Sequence, residues 1–428
     1  MKKNVLTALV SLLLFFNLLA QQPDKIYMPN IHTVKLFITG NQDAYPVIKL
    51  NVTNMMELHF DDLDGNVKTY NYTYVLCDAN WAPATLSPFD FLQGFTQGRL
   101  GQYRNSSISK TKYVHYQALL PEQSCMPKVS GNYLLKVYLN GDTSKLAFTR
   151  RVLILDNVTI PIAAKVTQPF NTQLFRTHHK VTVTVDKTRL DISNPQQQLK
   201  VVVLQNFRWD NAISGIQPTF MRGNLYEYSN DNNLVFPAGR EYNWVDLKSF
   251  RFQSERVDSA DLNILPFSVW LKPDMQRTSL RYVTYYDLNG AYDISAIDVN
   301  NPWWQGDYAN VHFTFVPLNL NEFLNKKVYL IGELATGNCD NAECEMEYDA
   351  TRKVYETTLL LKQGYYYYKY VTKIAGDKKA NPETADTEGD FSETENTYTV
   401  LVYYRSFSDR ADKLVAATTI SNYIQTRK

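Results

Sequence analysis

The sequence predicts an all-β protein built from tandem immunoglobulin-like β-sandwiches, and three observations carry that prediction. Large side chains recur at every second position in several runs, most plainly Tyr70, Tyr72, Tyr74 and Leu76, and a two-residue period is that of a strand with one face buried. Turn chemistry punctuates the runs at Gly40-Asn41, Asp64-Gly65, Ser130-Gly131-Asn132 and Asn140-Gly141-Asp142. The chain also holds 30 tyrosines against 17 glycines and 17 prolines, and Tyr favours strands and interfaces because it joins a large apolar ring to one polar end.

Taken in order, the first twenty residues read as a signal peptide: Met1-Lys2-Lys3, an apolar run from Val5 to Phe16, then Asn17-Leu-Leu-Ala20. Cleavage after Ala20 would expose Gln21 and offer no cysteine for a lipid anchor. No later stretch approaches the ~20 apolar residues a membrane span requires, so an exported, soluble chain is expected. The remaining length allows two to four domains, and three are expected. With 44 basic against 43 acidic residues there is no electrostatic footprint for nucleic acid.

The first domain is expected over 21–156. Ile31 to Thr39 and Met55 to Phe60 read as strands. Asp64-Gly65 then predicts a hairpin into the Tyr-rich strand, because Asp-Gly between alternating runs is a strong hairpin signal. From Asp78 to Arg104 the period disappears while large apolar groups continue: Trp81, Phe89, Phe91, Leu92, Phe95, Leu100 and Tyr103. A loop of that length in a compact domain is either functional or packed by its own side chains. The expectation is an ordered segment with part of its aromatic set left for a partner, which makes Trp81, Phe89, Phe91, Phe95 and Tyr103 candidate contacts. The alternative is a loop folded over its own sandwich. Lys112 to Leu119, Tyr133 to Leu139 and Lys145 to Leu155 complete the domain, the last two joined through Asn140-Gly141.

A middle all-β domain is expected over 157–306, from strands such as His179 to Asp186, Leu199 to Phe207 and Phe267 to Leu271. A third, over 307–405, has five strand candidates: Asn310 to Pro317, Lys327 to Ile331, Val354 to Leu361, Tyr365 to Val371 and Tyr398 to Tyr404. Residues 406–428 are polar and read as a short helix or a mobile tail.

Four cysteines, Cys77, Cys125, Cys339 and Cys344, suit a disulfide-permissive compartment, and proximity in sequence suggests Cys77 with Cys125 and Cys339 with Cys344. The first bridge would close a loop of about 49 residues, worth roughly 4 kcal/mol. The alternative is that Cys77 is a buried, reduced strand residue.

No catalytic, cofactor-binding or metal-binding constellation is expected. The nucleophile elbow, the HExxH helix, the P-loop and the GxGxxG turn are all absent. His178-His179 would point to opposite faces of a strand and are assigned to solvent or turn positions. Glu343, Glu345 and Glu347 read as a solvated face. Trp303-Trp304, after Asn301-Pro302, could be an exposed platform for sugar stacking, but near a domain boundary interdomain packing is the favoured reading.

Two resemblances add to this. Val328-Tyr-Leu-Ile-Gly332, Met346-Glu-Tyr-Asp349, Tyr355-Glu356 and Gly364 to Tyr370 resemble the early-set immunoglobulin-like module of starch-binding domains. More specifically, Phe60 to Gly65, Tyr72-Thr-Tyr74, Cys77-Asp-Ala-Asn-Trp81, Leu86-Ser-Pro-Phe-Asp90, Gly94-Phe-Thr-Gln97, Tyr103 to Ser106, Tyr113 to Tyr116, Ser130 to Tyr133, Gly141-Asp142 and Phe148-Thr-Arg-Arg151 resemble the type IX secretion system plug protein family. That resemblance is strongest from Ile31 to Leu155. It implies a non-enzymatic periplasmic protein, monomeric when free and peripheral to the outer membrane, that closes the periplasmic mouth of the giant translocon barrel sterically. The other function class is a periplasmic glycan-binding protein using the aromatics of the C-terminal half, Trp303 and Trp304.

Overall fold

Alternation along the chain turns into layers of sheet stacked about three cores. The computed structural model describes residues 22–335, 344–377 and 380–422. The expected signal peptide lies outside these residues, as do Cys339 and Glu343.

The first unit is a sandwich. One layer is a four-stranded sheet in the order Ile31–Ile38, Met56–Asp62, Val114–Leu120 and Gln102–Asn105. The other comprises Leu146–Leu155, Gly131–Leu139, Tyr70–Cys77 and Gly98–Leu100, part of an eight-stranded sheet. Tyr70, Tyr72, Tyr74 and Leu76 point into the core with Leu58, Phe60, Tyr116 and Phe148, while Asn71, Thr73 and Val75 are half-buried on the other face. The Asn140-Gly141 turn joins its strands as expected, with both residues at positive φ, 56° and 68°.

Asp64-Gly65 behaves differently. The chain does turn there, Gly65 at φ 70°, but the flanking strands belong to opposite layers: Met56–Asp62 pairs with Ile31–Ile38 and Val114–Leu120, whereas Tyr70–Cys77 pairs with Gly131–Leu139. Turn residues set chain reversal, not the sheet in which the next strand is hydrogen-bonded, and Asn66 to Thr69 supply the length to cross the sandwich.

The C-terminal half corrects the expected boundaries. Thr397–Tyr404, assigned to the third domain, pairs along its whole length with Leu199–Gln205 of the middle domain. The expected polar tail contains a nine-residue strand, Lys413–Ser421, paired with Thr397–Tyr404, so neither a helix nor a loose tail describes 413–421. Those three strands pack against a five-stranded sheet that includes Ile162–Thr167, His178–Asp186 and Leu225–Tyr228, with Val181, Val201, Phe236, Tyr398 and Val400 between the layers. The third unit is consequently nested inside the second. It uses strands from Asn243–Asp246 to Tyr365–Ile374 in a ten-stranded sheet around Val245, Phe313, Leu330, Tyr368 and Tyr370. Fragments assigned to the middle domain, such as Phe267–Leu271, pair here instead, alongside Tyr308–Val316.

Units one and two share a sheet through the parallel partners Leu155 and Leu414. A separate core of Leu153, Val202, Leu204, Leu401 and Leu414 seals that junction.

Candidate functional site

Alternation on Met56–Asp62 and Val114–Leu120 sends Leu58, Phe60 and Tyr116 into the first core, so Glu57, His59, Asp61, His115 and Gln117 face outward. Much of that outer face is covered by the third unit. Asp61 Oδ1 accepts from His115 Nδ1 at 2.7 Å, and its Oδ2 accepts from the Tyr308 hydroxyl and from Lys362 Nζ, each at 2.5 Å. Lys362 also donates to the Trp303 carbonyl and lies 4.1 Å from the Tyr113 ring centroid, while the Tyr113 hydroxyl donates to Gly306 O at 2.7 Å.

The imidazoles continue the network. His59 Nδ1 and His115 Nε2 are 3.0 Å apart, and the Trp303 ring stacks on His59 at 4.0 Å. Burial and the neighbouring His115 push His59 down to about 3, and burial likewise lowers His115. Burial works against an ionised Asp61, but Lys362 and His115 outweigh it and hold Asp61 below the usual carboxylate range. Burial lowers Lys362, opposed by Asp61.

An Asp-His-His-Lys set invites a catalytic reading. The geometry gives it a different role: Asp61 and Lys362 are wholly buried, His115 is buried, and each polar contact of Asp61 already joins one unit to its neighbour or one strand to the next. The cluster is a clasp. A second clasp lies nearby, where buried Lys35 meets Glu333 at 2.9 Å and sits 4.1 Å from the Tyr292 ring centroid. A third joins units one and two: the Arg151 guanidinium lies 4.9 Å from the Trp81 ring and 5.0 Å from the Trp209 ring, with Asp24 as its ion partner.

These positions settle several sequence expectations. Trp303 is interdomain packing, on a one-turn helix Pro302–Gln305 whose cap, Asn301, accepts from the Trp303 amide. Trp304 stacks under Arg104 at 4.8 Å. The sugar-platform alternative therefore finds no support in this pair. Trp81 is half-buried against Trp209, and Phe91 is buried in the first core. Phe89, Phe95 and Tyr103 remain exposed, Phe89 and Phe95 at about 70%.

The Asp78 to Arg104 segment carries short elements the sequence did not announce: a helical turn Pro88–Phe91 and strands Leu92–Gly94, Gly98–Leu100 and Gln102–Asn105. Gly94 fixes its position, with φ 83° and room for no side chain, since an added Cβ would lie 2.2 Å from Ser124 O.

The Cys77–Cys125 bridge is not formed. Both are free, buried thiols, Cys77 on the strand that ends there and Cys125 opposite Gly94, as the reduced alternative for Cys77 has it. Cys344 is buried in the third core, and its proposed partner Cys339 lies outside the described residues. His179 is neither in a turn nor in solvent: it is buried on His178–Asp186, its Nε2 donating to Ser392 O and its Nδ1 accepting from the Tyr398 hydroxyl, both at 2.8 Å. Glu345 is paired with Lys327. Among the described residues no three His, Cys, Asp or Glu side chains converge as metal ligands, and no helix is long and apolar enough to cross a membrane.

Sequence reasoning gave no role to Asp61, His115, Tyr308 or Lys362, although Asp61 and His115 fall within the quoted family motifs. The available signal was a lysine closing the apolar run Leu359-Leu-Leu361, since a strand lysine beside core positions needs a partner.

The arrangement is that of an interlocked β-scaffold in which buried Asp61, Lys362 and Lys35 join units, while Phe89, Phe95 and Tyr103 stay exposed. Residues 31–156 match the family model described as the type 9 secretion system plug protein 1st domain. A solved structure described as a hypothetical protein from Parabacteroides merdae is 31% identical, with a TM-score of 0.88, covering 93% of this chain and 98% of that one. No curated protein sequence matches. The chain belongs to the type IX secretion system plug protein family, a family of structural secretion components. Membership implies association with an outer-membrane component of that system and points to the periplasm.

Proposed function

We propose that this protein closes the periplasmic opening of the secretion system's large outer-membrane barrel by steric occlusion, exported by its signal peptide and held at the membrane through that partner. The observation that carries the reading is the interlock. Three units tied by buried clasps and a shared sheet make a body that does not part at its domain boundaries, and a plug that parted there would leak. Family membership supports an outer-membrane component of the secretion system as the partner. Closure that cargo can reverse favours a polar-rimmed interface of moderate size, which suits exposed aromatics set among polar side chains better than one continuous apolar face.

Cells provide the test. Deleting the protein should admit solutes normally excluded by the outer membrane, and deleting the barrel as well should restore exclusion. Unchanged permeability in the single deletion would overturn the reading.

A further inference from the structure

Gln102–Asn105 is the last strand of the four-stranded sheet. It pairs with Val114–Leu120 on one side only, and all four of its residues are exposed. The residue stretch around it is chemically one-sided. From Phe91 to Pro121 there is no Asp or Glu, while Arg99, Arg104, Lys110 and Lys112 are all exposed, and none of the four enters an ion pair among the described residues. Two acids of adjoining segments are already engaged: Asp64 pairs with Lys68, and Asp307 accepts from the amides of Lys110 and Thr111.

The turn that follows holds one side chain outward. Ile108 has φ 70° and is 72% exposed. A β-branched residue in the left-handed region is strained by roughly 1–2 kcal/mol, and such strain persists where the surroundings impose it. Here the third unit imposes it: Ser107 N donates to Trp304 O at 2.9 Å, and the Asp307 carboxylate accepts from the amides of Lys110 and Thr111. On the edge strand itself Tyr103 presents a half-exposed ring.

We infer that the open edge Gln102–Asn105, flanked by Ile108 and by Arg99, Lys110 and Lys112, none of them in an ion pair among the described residues, is a docking site for an extended acidic segment of a protein partner. Such a segment would add a strand to the sheet through main-chain hydrogen bonds, its carboxylates meeting Arg99, Lys110 and Lys112 and an apolar side chain meeting Ile108. Natural edges left bare invite indiscriminate pairing, and the basic residues select against like-charged strands while attracting acidic ones. The fixed turn reduces the ordering cost of binding. The inference rests on the plugging reading only for where such a partner is found, namely on the secretion barrel or its associates.

The test uses the purified full chain and two synthetic ten-residue peptides of alternating Val and Glu or alternating Val and Lys, read by binding titration and amide exchange. The Glu peptide should bind at least tenfold more tightly than the Lys peptide, weaken with salt, and protect the amides of Gln102 to Asn105. Arg99→Glu with Lys110→Glu and Lys112→Glu should invert the preference. Ile108→Gly should raise the unfolding midpoint, because strain is relieved, yet weaken Glu-peptide binding severalfold; a purely structural residue would not move the two in opposite senses. Equal affinity for both peptides, binding without protection of Gln102 to Asn105, or binding to vesicles of anionic lipid in place of the Glu peptide would overturn the inference. None of these outcomes bears on pore closure, which the deletion experiment tests separately.

Discussion

Asp61 of the first unit and Lys362 of the third form an ion pair 2.5 Å long in which neither side chain is exposed. Two charges removed from water hold only while both are present, because the survivor of a single substitution is left buried and unpaired. Lys362→Met should therefore cost about 3–5 kcal/mol in denaturant unfolding. Asp61→Asn combined with Lys362→Met should cost clearly less than the two single changes summed. Additive losses would show that the pair does not act as a unit.

Acid should weaken the same junction. His59 and His115 are both lowered in the folded protein, His59 to about 3 from an ordinary value near 6.5, so the unfolded chain takes up protons first as pH falls. The His59 contribution is fully present above pH 6.5 and is lost progressively down to about pH 3, and His115, lowered by burial, adds to the loss below pH 6.5. Asp61, lowered by Lys362 and His115 against the effect of burial, adds to the loss in the acid range. His59→Phe keeps a ring beneath Trp303 and removes one titrating group. Its unfolding midpoint should fall less steeply between pH 6.5 and 4 than that of the wild type, and a parallel acid limb would contradict the assignment.

The thiols give a direct chemical readout. Burial pushes Cys77 up to about 11 and, with Glu122 adding to it, Cys125 up to about 12. Thiolate is the reactive form, so neither should react with a thiol reagent at pH 8 in the native protein. Both should react once the protein is unfolded without reductant. Failure to label Cys77 and Cys125 in that unfolded sample would show that they are bridged.

Glycine substitutions should separate two kinds of constraint. Gly40, at φ 80° with open space around it, should tolerate Ala at a cost of about 1 kcal/mol from the backbone alone. Gly94→Ala adds a collision with the Ser124 carbonyl and should cost at least ~2 kcal/mol. Similar losses at both sites would mean that the Gly94 strand is not held against Cys125–Pro127.

Much of the secondary structure was legible because alternation is local. The run from Tyr70 to Leu76 buries every second side chain, and the strand candidates Lys327 to Ile331 and Tyr365 to Val371 fall within observed strands. What alternation does not encode is partnership. Thr397–Tyr404 has the same pattern whether it pairs with Leu199–Gln205 or with a strand of the third unit, so the nested arrangement could not be read, and Asp64-Gly65 was assigned to a hairpin that crosses layers instead. The clasp was hidden for a related reason. Asp61, His115 and Lys362 lie far apart in sequence and gain meaning only when the outer face of one sheet meets another unit. Trp303 does pack between units, but not for the reason the sequence suggests: the boundary expected at 306 is not there, and the ring reaches the first unit from within the third.

The central claim is that an interlocked body shuts a pore, and single-channel conductance measures it most directly. With the purified secretion barrel in a planar bilayer, adding this protein on the periplasmic side should reduce conductance stepwise to a closed level at saturating concentration. Conductance unchanged while the protein is demonstrably bound to the barrel would contradict it.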